Sequence, residues 1–344
     1  MSVELRHINF SYQETPVLCN VSFSAPTGQI TVLLGASGAG KTSCLRLLAG
    51  LEIPASGEVL IHGTSVSSSS HWVPPRERSV GYCFQESALW TYLTVQQHIS
   101  IPLRAHSKDP NFIQTRTEEI LKNFNIQALA KRYPDQLSGG EQKRLSFARA
   151  LASNPQVMLL DEPLSNVEGA MREELIRLIH TLKNSQRTIL IVTHQIEEAL
   201  QLADHLVILA DHTIQQSGPV QEVYFYPVNR DSASLLGYRN FFPVEISSQR
   251  LITPFGEFNN QEYDPGITTG TIAEQDLEVS EPGEGVISDC LFTGQGYRVK
   301  INLHNATYWA FSTKAFPPHS RVGLKMKKPP VLLHPTPREP SVTR

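Results

Sequence analysis

A glycine-rich segment between a predicted strand and a predicted helix constrains the fold of this chain more than any other feature. The segment reads Gly35-Ala36-Ser37-Gly38-Ala39-Gly40-Lys41-Thr42 and matches the phosphate-binding loop (P-loop) pattern at every specified position. The apolar run 30–34 precedes it, and residues 43–49 have the pattern of a helix start. In such a loop the backbone N–H groups turn inward around phosphate, and the helix N-terminus adds a favourable dipole. A glycine turn without a ligand is the alternative, and the flanking strand and helix disfavour it.

Short apolar runs alternate with helical patterns over roughly the first 235 residues. Residues 157–160, 189–192 and 206–209 have the composition of buried strands, as do residues 30–34. Between them lie amphipathic stretches, and one helix face of residues 171–182 carries Leu175, Leu178, Ile179 and Leu182. This alternation predicts an α/β layer with a largely parallel sheet. Residues 118–129 are also helical in pattern and predict a helical insertion.

The pattern changes beyond Asn240, where helical periodicity disappears and short alternating runs stand between Gly, Pro and Asn clusters. Residues 297–303 alternate strictly and predict a half-buried strand. We therefore predict a first domain at residues 1–236, a small β-barrel domain at 241–328 and a proline-rich tail at 329–344. Within the first domain, residues 67–70 are predicted to form a polar loop.

Composition excludes several classes of protein. The 344 residues carry 30 Lys and Arg against 33 Asp and Glu, so the net charge of −3 gives no global positive field for nucleic acid. No apolar run approaches the ~20 residues that span a bilayer, and the N-terminus lacks the apolar core of a signal peptide, so we expect a soluble chain that is not exported. The four cysteines lie far apart, which favours free thiols that serve as packing residues over disulfides or a zinc site.

A second motif is an apolar strand that ends in two acidic residues, Asp161 and Glu162. Two adjacent carboxylates at a strand end are, taken alone, more often solvated loop residues. Beside a P-loop the preference reverses, because the strand can deliver Asp161 to the Mg²⁺ shell and leave Glu162 free to polarise an attacking water.

The segment Leu137-Ser138-Gly139-Gly140-Glu141 follows the P-loop and precedes the acidic strand. With this segment the chain resembles the ATP-binding subunit of ABC importers, of the type with a small C-terminal β domain. The resemblance implies an α/β P-loop ATPase domain with a helical insertion, followed by a small all-β, OB-like barrel domain. It implies ATP and Mg²⁺ as ligands and a head-to-tail homodimer, or a pair with a related ABC subunit. In that dimer the serine hydroxyl and glycine N–H groups of one subunit would cradle the phosphate that the other holds.

The resemblance also assigns roles to single residues over about the first 230 positions. Tyr12 would stack on adenine, Gln85 would sense Mg²⁺ and the membrane subunit, and His194 would contact the γ-phosphate. The residues expected to bind the nucleotide are Tyr12, Gly35, Ser37, Gly38, Gly40, Lys41, Thr42, Ser43, Ser138, Gly139, Gly140 and Glu141. The residues expected to bind the metal are Thr42, Gln85 and Asp161. The residues expected to act in catalysis are Glu162, His194 and Gln85.

Three segments depart from the family pattern. Residues 42–44 read Thr-Ser-Cys, a slight variant that keeps the Thr42 hydroxyl for Mg²⁺. Residues 165–168 read Ser-Asn-Val-Glu where Ser-Ala-Leu-Asp is usual, so Glu168 keeps the charge but adds a methylene. Residues 272–276 read Ile-Ala-Glu-Gln-Asp where relatives often show Arg-Pro-Glu.

The implied partners are integral-membrane permease subunits, contacted by a helical subdomain at about residues 86–135, and indirectly a periplasmic or lipid-anchored solute-binding protein. The implied location is the cytoplasmic face of the inner or plasma membrane. For the imported solute we expect an inorganic ion of the ferric iron, sulfate or molybdate class, with a polyamine or a sugar as the alternative.

Two other classes of protein remain as alternatives. ABC ATPases that act on ribosomes or DNA commonly carry two ATPase modules or long coiled-coil insertions, whereas this chain has one P-loop and no heptad run. A P-loop kinase would leave Gln85, Ser138 and His194 unexplained.

Overall fold

The computed structural model describes residues 2–167, 169–183, 187–247, 250–259 and 267–334. The chain divides into two compact units, Met1–Val220 and Gln221–Arg344. The division lies 16 residues before the end that we predict for the first domain. Residues 221–236 therefore group with the second unit, although their helical pattern resembles that of the first.

The first unit contains ten strands and six helices in the part of the chain that is described. The strands are β1 (Val3–Tyr12), β2 (Thr15–Ala25), β3 (Ile30–Leu34), β4 (Ser56–Ile61), β5 (Thr64–Ser68), β6 (Val80–Cys83), β7 (Val157–Asp161), β8 (Thr188–Thr193), β9 (His205–Ala210) and β10 (Thr213–Pro219). The helices are α1 (Lys41–Ala49), α2 (Val95–His106), α3 (Pro110–Asn123), α4 (Gly139–Leu151), α5 (Gly169–Leu182) and α6 (Ile196–Leu202).

The central sheet has the order β10-β9-β3-β8-β7-β6, and its five strands from β9 to β6 run parallel. The predicted buried strands are its core, so the α/β prediction is confirmed. Strands β3, β7 and β8 are buried at every position, which explains their largely apolar sequences. Because the strands are parallel, the P-loop, Asp161 and His194 all follow carboxyl ends at the same edge.

An antiparallel sheet of order β2-β1-β4-β5 forms the other layer of the first unit. The loop that we predict at residues 67–70 is wrong at its start, because Ser67 and Ser68 belong to β5. Ser67 pairs with Val59 and is fully buried. A serine is small enough to sit inside a sheet, so a run of serines does not by itself end a strand.

Helices α2 and α3 form most of the predicted insertion, and α2 packs on α4. The helix that we predict at 118–129 begins earlier and ends sooner, since α3 spans Pro110–Asn123 and a 3₁₀ turn occupies Gln127–Leu129. Asp109 caps its first turn by accepting from the Asn111 N–H, and Pro110 fits the first helical position.

Helix α7 (Val220–Phe225) begins at the last residue of the first unit, and α8 (Arg230–Leu235) follows it in the second. The other described elements of the second unit are strands and one 3₁₀ turn at Glu274–Asp276. These strands are β11 (Asn240–Pro243), β12 (Glu245–Ser247), β13 (Arg250–Thr253), β14 (Gly256–Asn259), β15 (Thr269–Ile272), β16 (Leu277–Phe292), β17 (Tyr297–Leu303), β18 (Ala306–Ser312), β19 (Arg321–Met326) and β20 (Val331–Leu333). They form three antiparallel sheets, of orders β18-β17-β16-β19, β11-β15-β20 and β12-β13-β14. A separate core that includes Ile301 and Tyr308 fills this unit. The predicted small β domain is confirmed.

The predicted tail starts too early. Residues 331–333 form β20 and pair with β15, because Leu333 is an apolar side chain that the unit buries. Residues 335–344 of the predicted tail, and Glu168, lie outside the described residues. None of the helices in the described ranges has the length and apolar character needed to cross a membrane.

Candidate nucleotide-binding site

The P-loop leaves the carboxyl end of β3 and enters α1 at Lys41. Two of its glycines are required by space or backbone conformation. A Cβ on Gly35 would lie 2.4 Å from the Leu209 carbonyl oxygen. Gly40 has φ of 100°, a left-handed conformation that side chains disfavour, and a Cβ there would lie 2.8 Å from the Val17 carbonyl oxygen. The loop can therefore follow this tight path only with glycine at both positions.

Lys41 folds back over the loop. Its Nζ donates to the carbonyl oxygens of Gly35 at 2.9 Å and Ala36 at 2.7 Å. Burial lowers the pKa of Lys41, and the nearby Glu162 and Asp161 oppose that shift. The ammonium group is thus held among backbone oxygens at the loop that would surround phosphate.

Asp161 ends β7 and is almost fully buried. Its Oδ1 accepts from the Thr42 hydroxyl at 3.0 Å, and its Oδ2 accepts from the Tyr82 hydroxyl at 3.1 Å. Burial raises the pKa of Asp161, and these two hydrogen bonds lower it. A hydroxyl and a carboxylate side by side are the hard oxygen ligands that Mg²⁺ prefers, so this pair fits the metal that the resemblance implies.

Glu162 brings the three predicted catalytic residues together. Its Oε1 lies 2.9 Å from Nδ1 of His194, and its Oε2 accepts from Nε2 of Gln85 at 3.0 Å. The Glu162 backbone has φ of 42°, although it is not a glycine. A left-handed conformation at such a residue costs about 1–2 kcal/mol. The structure therefore places one carboxylate between an imidazole and an amide that come from two other strand ends.

The Ser138 segment caps α4. The Ser138 hydroxyl accepts from the Glu141 N–H at 3.4 Å, and the Glu141 carboxylate accepts from the Ser138 N–H at 2.7 Å. The Ser138 hydroxyl also donates to the Glu141 carboxylate at 2.9 Å, and the two hydrogen bonds that this carboxylate accepts from Ser138 lower the pKa of Glu141. In the described part of the chain, no hydrogen bond of Ser138 or Glu141 reaches the P-loop. The segment therefore presents a capped helix N-terminus that is separate from the P-loop of its own chain.

A cleft of about 400 Å³ lies beside this segment and is lined by Gln85, Gly139, Gln142, Lys143 and Asn166 among others. It joins the loop after β6, the start of α4 and the loop that follows Glu162. Three predicted functional segments thus border one opening.

Tyr12 lies at the end of β1, with 42% of its surface exposed. Its hydroxyl donates to Oε1 of Glu52 at 3.3 Å and accepts from Arg46 of α1 at 3.4 Å. The edge of the ring is in contact with Phe10, with centroids 4.9 Å apart. An accessible aromatic ring is therefore fixed beside the helix that begins at the P-loop.

Sequence analysis missed two cations of α4 that hold the backbone of the loop after β6. Lys143 Nζ donates to the Gln85 carbonyl at 2.6 Å. Arg149 donates to the carbonyls of Ala88 at 2.6 Å and Ser87 at 3.1 Å. Burial lowers the pKa of both side chains. The available signal was their position among the buried residues of an amphipathic helix, where a basic residue needs acceptors.

Sequence analysis also assigned no role to Tyr82, whose hydroxyl donates to Asp161 as described above. The cysteine prediction is confirmed for the described residues: all four thiols are free, and burial raises the pKa of Cys44 to about 12.

Comparisons with known proteins agree with this arrangement. The family model described as ABC transporter matches residues 18–165. The spermidine/putrescine import ATP-binding protein PotA of Acetivibrio thermocellus is 31% identical over 334 residues, which cover 94% of each chain. The sulfate/thiosulfate import ATP-binding protein CysA of Photorhabdus laumondii is 37% identical over 257 residues, 73% of this chain and 70% of that one.

Among solved structures, the dimeric post-hydrolysis state of the ATP-binding cassette MJ0796 with ADP and Pi has a TM-score of 0.57 and 27% identity. The similarity covers 63% of this chain and 98% of that one.

Proposed function

Because the chain belongs to the ATP-binding import subunits of ABC transporters, which hydrolyse ATP to drive transport, we propose that Glu162 activates the attacking water. The observation that carries this proposal is the contact of its carboxylate with His194 and Gln85 at 2.9 and 3.0 Å. The imidazole donates from Nδ1 and the amide from Nε2, so both orient the carboxylate. The other lone pairs of the carboxylate remain free to accept a proton from water.

The remaining residues of the site would each bind a different part of Mg²⁺–ATP. The N–H groups of the P-loop and Lys41 would hold the phosphates, and Tyr12 would stack on the adenine. Thr42 and Asp161 would hold Mg²⁺, with Gln85 beside them, and the ion would offset phosphate charge when bound. His194 would also contact the terminal phosphate.

We propose a head-to-tail dimer in which Ser138, Gly139, Gly140 and Glu141 serve the ATP of the partner subunit. Two observations support this arrangement. The capped N-terminus of α4 makes no hydrogen bond to its own P-loop within the described residues. The cleft beside it is lined by Gln85 and Asn166 among others, and a second subunit could enter it. A helix N-terminus with consecutive glycine N–H groups is a suitable cradle for anionic phosphate.

We propose that the helical insertion contacts a permease subunit at the cytoplasmic face of the membrane, with a solute-binding protein on the other side. A groove of about 700 Å³ between α2 and α3 supports this contact. It is lined by residues such as Gln97, Arg104, Lys108 and Ile113, a mixture of apolar and polar groups that suits a helix of a partner.

For the solute, an inorganic ion such as sulfate remains the first candidate, and a polyamine is now an equally supported candidate. The similarity to a sulfate import protein favours the first, and the similarity to a polyamine import protein over 94% of this chain favours the second. Uptake of labelled sulfate and labelled spermidine by cells with and without this chain decides between them. Uptake of labelled maltose, without uptake of sulfate or spermidine, would support a sugar as the solute.

The experiment that tests the transport function is co-purification. We expect the tagged chain to retain a polytopic membrane protein in mild detergent, and the isolated chain to hydrolyse ATP. Co-sedimentation with ribosomes, and no membrane protein in the eluate, would instead support the non-transport alternative.

A further inference from the structure

Tyr82 is a residue of β6 whose hydroxyl reaches the carboxylate at the end of the neighbouring strand. β6 and β7 pair in parallel with Tyr82 opposite Leu159, so the long phenol side chain extends along β7 to its last residue. There its O–H donates to Oδ2 of Asp161 at 3.1 Å. The P-loop pattern does not specify a residue at this strand position, and the transport function proposed above gives Tyr82 no role.

The carboxylate of Asp161 is thereby held by two hydroxyl groups from different elements. Thr42 of α1 donates to Oδ1 at 3.0 Å, and Tyr82 of β6 donates to Oδ2. Only 3% of Asp161 is exposed, so water offers little replacement for a lost donor. With one donor on each oxygen, rotation of the carboxylate about its Cβ–Cγ bond is fixed.

The rotation of this group matters because Mg²⁺ demands near-ideal geometry from its ligands. We propose that Tyr82 is a positioning residue that holds the Asp161 carboxylate in the orientation needed for Mg²⁺, and so sets the affinity of the site for the metal. This inference rests on the proposed function of Thr42 and Asp161 in binding Mg²⁺ with ATP. In this role Tyr82 acts through Asp161 and not by binding either ligand.

The phenylalanine variant isolates the hydroxyl. The Tyr82 ring packs on Phe84 with centroids 4.4 Å apart, and a phenylalanine ring can keep that contact. Tyr82→Phe therefore removes one hydrogen bond from Asp161 and leaves the packing of β6 in place.

The test uses the full chain and a fluorescent ATP analogue, titrated first in EDTA and then at rising MgCl₂. We expect Tyr82→Phe to bind the analogue as well as the wild type does in EDTA. The Mg²⁺ concentration that gives half of the metal-dependent gain in affinity should rise about tenfold or more, the effect of one hydrogen bond to a charged group.

The matched control is Tyr238→Phe, which removes a phenol hydrogen bond to the Tyr224 carbonyl in the second unit. It should leave both titrations unchanged. An unshifted Mg²⁺ midpoint in Tyr82→Phe would overturn the inference. So would an equal loss of affinity with and without Mg²⁺ together with a lower Tm, because that result describes a packing role. If the wild type binds the analogue with no dependence on Mg²⁺, the proposed metal site itself fails, and the inference fails with it.

Discussion

Replacing Arg78 with alanine should destabilise the first unit by about 3 kcal/mol. Arg78 is 3% exposed, and its guanidinium donates to four carbonyl oxygens at 2.7 to 3.0 Å. Two of these, on Leu47 and Leu48, belong to the last turn of α1, the helix that begins at the P-loop. Burial lowers the pKa of Arg78 to about 10, and no carboxylate bonds to it in the described ranges.

The expected loss of stability depends on which of the four carbonyls keep a hydrogen-bond donor when Arg78 is removed. The Leu47 and Val66 carbonyls retain a second donor, the N–H groups of Gly50 and Val73 respectively. Leu48 and Val73 lose the donor that the structure gives their carbonyls, at about 1–3 kcal/mol each. The alanine variant has no guanidinium to dehydrate on folding, which offsets part of this cost. The net estimate is about 3 kcal/mol, which is a large fraction of the stability of a typical domain.

Gly50 provides an internal check on this reasoning. It has φ of 78°, and a Cβ there would lie 2.5 Å from Nε of Arg78. Gly50→Ala should therefore lower the free energy of unfolding by more than the ~1–2 kcal/mol of a left-handed alanine when Arg78 is present. In the Arg78→Ala background the same substitution should lower it by only that amount.

The assay is urea denaturation of the four proteins of this double-mutant cycle, followed by far-UV circular dichroism. Arg76→Ala is the control, since its side chain is 84% exposed and pairs only with its neighbour Glu77 within the described residues; it should change stability by less than about 0.5 kcal/mol. A cost below about 1 kcal/mol for Arg78→Ala, or strictly additive effects in the cycle, would refute the account of this buried cation.

Three further predictions concern ATP, the dimer and pH. Lys41→Ala should weaken ATP binding in a fluorescence titration, because it removes a charge that pairs with phosphate, and unchanged affinity would count against the P-loop assignment. Ser138→Arg should leave ATP binding by monomers unchanged but block ATP-driven dimerisation in size-exclusion chromatography. When this variant is mixed with Lys41→Ala protein, the mixed dimer should have one working site. Loss of ATP binding by the Ser138→Arg monomer would refute the head-to-tail model. Burial lowers the pKa of His98, so the folded chain binds this proton less readily than the unfolded chain. The contribution of His98 to stability is therefore complete above its unfolded pKa of about 6.5 and is lost as the pH falls below it. His98→Gln should make the urea midpoint less dependent on pH between about 6.5 and 5, and an unchanged pH dependence would contradict this account of His98.

The sequence predicts the parts of the fold that periodicity records. Apolar runs reveal the parallel strands because both faces of that sheet are buried, and strict alternation reveals β17 to the residue. The sheet β2-β1-β4-β5 is not predicted from the sequence, because its strands have mixed and serine-rich sequences without a clear apolar pattern. The start of α3 could have been found from Asp109 and Pro110, a cap followed by a first-turn proline.

The candidate site divides in the same way. Motif spacing brings Glu162, His194 and Gln85 together because parallel strands end at one edge of the sheet. Motif spacing does not reveal Lys143, Arg149 or Tyr82, since each bonds to groups of another element. The pattern of α4 marks its two cations as buried, but which groups they bind depends on how α4 and β6 pack.

The most direct test of the central claim is single-turnover ATP hydrolysis by Glu162→Gln, measured beside its ATP affinity. Glutamine keeps the size of the side chain and the left-handed backbone strain but removes the carboxylate that accepts a proton. We expect ATP affinity to remain close to that of the wild type, ATP to trap a dimer, and the hydrolysis rate to fall by about 10²- to 10⁴-fold, the usual contribution of a general base. Hydrolysis at the wild-type rate with ATP bound would contradict the account, because the base would then have to be a group other than Glu162.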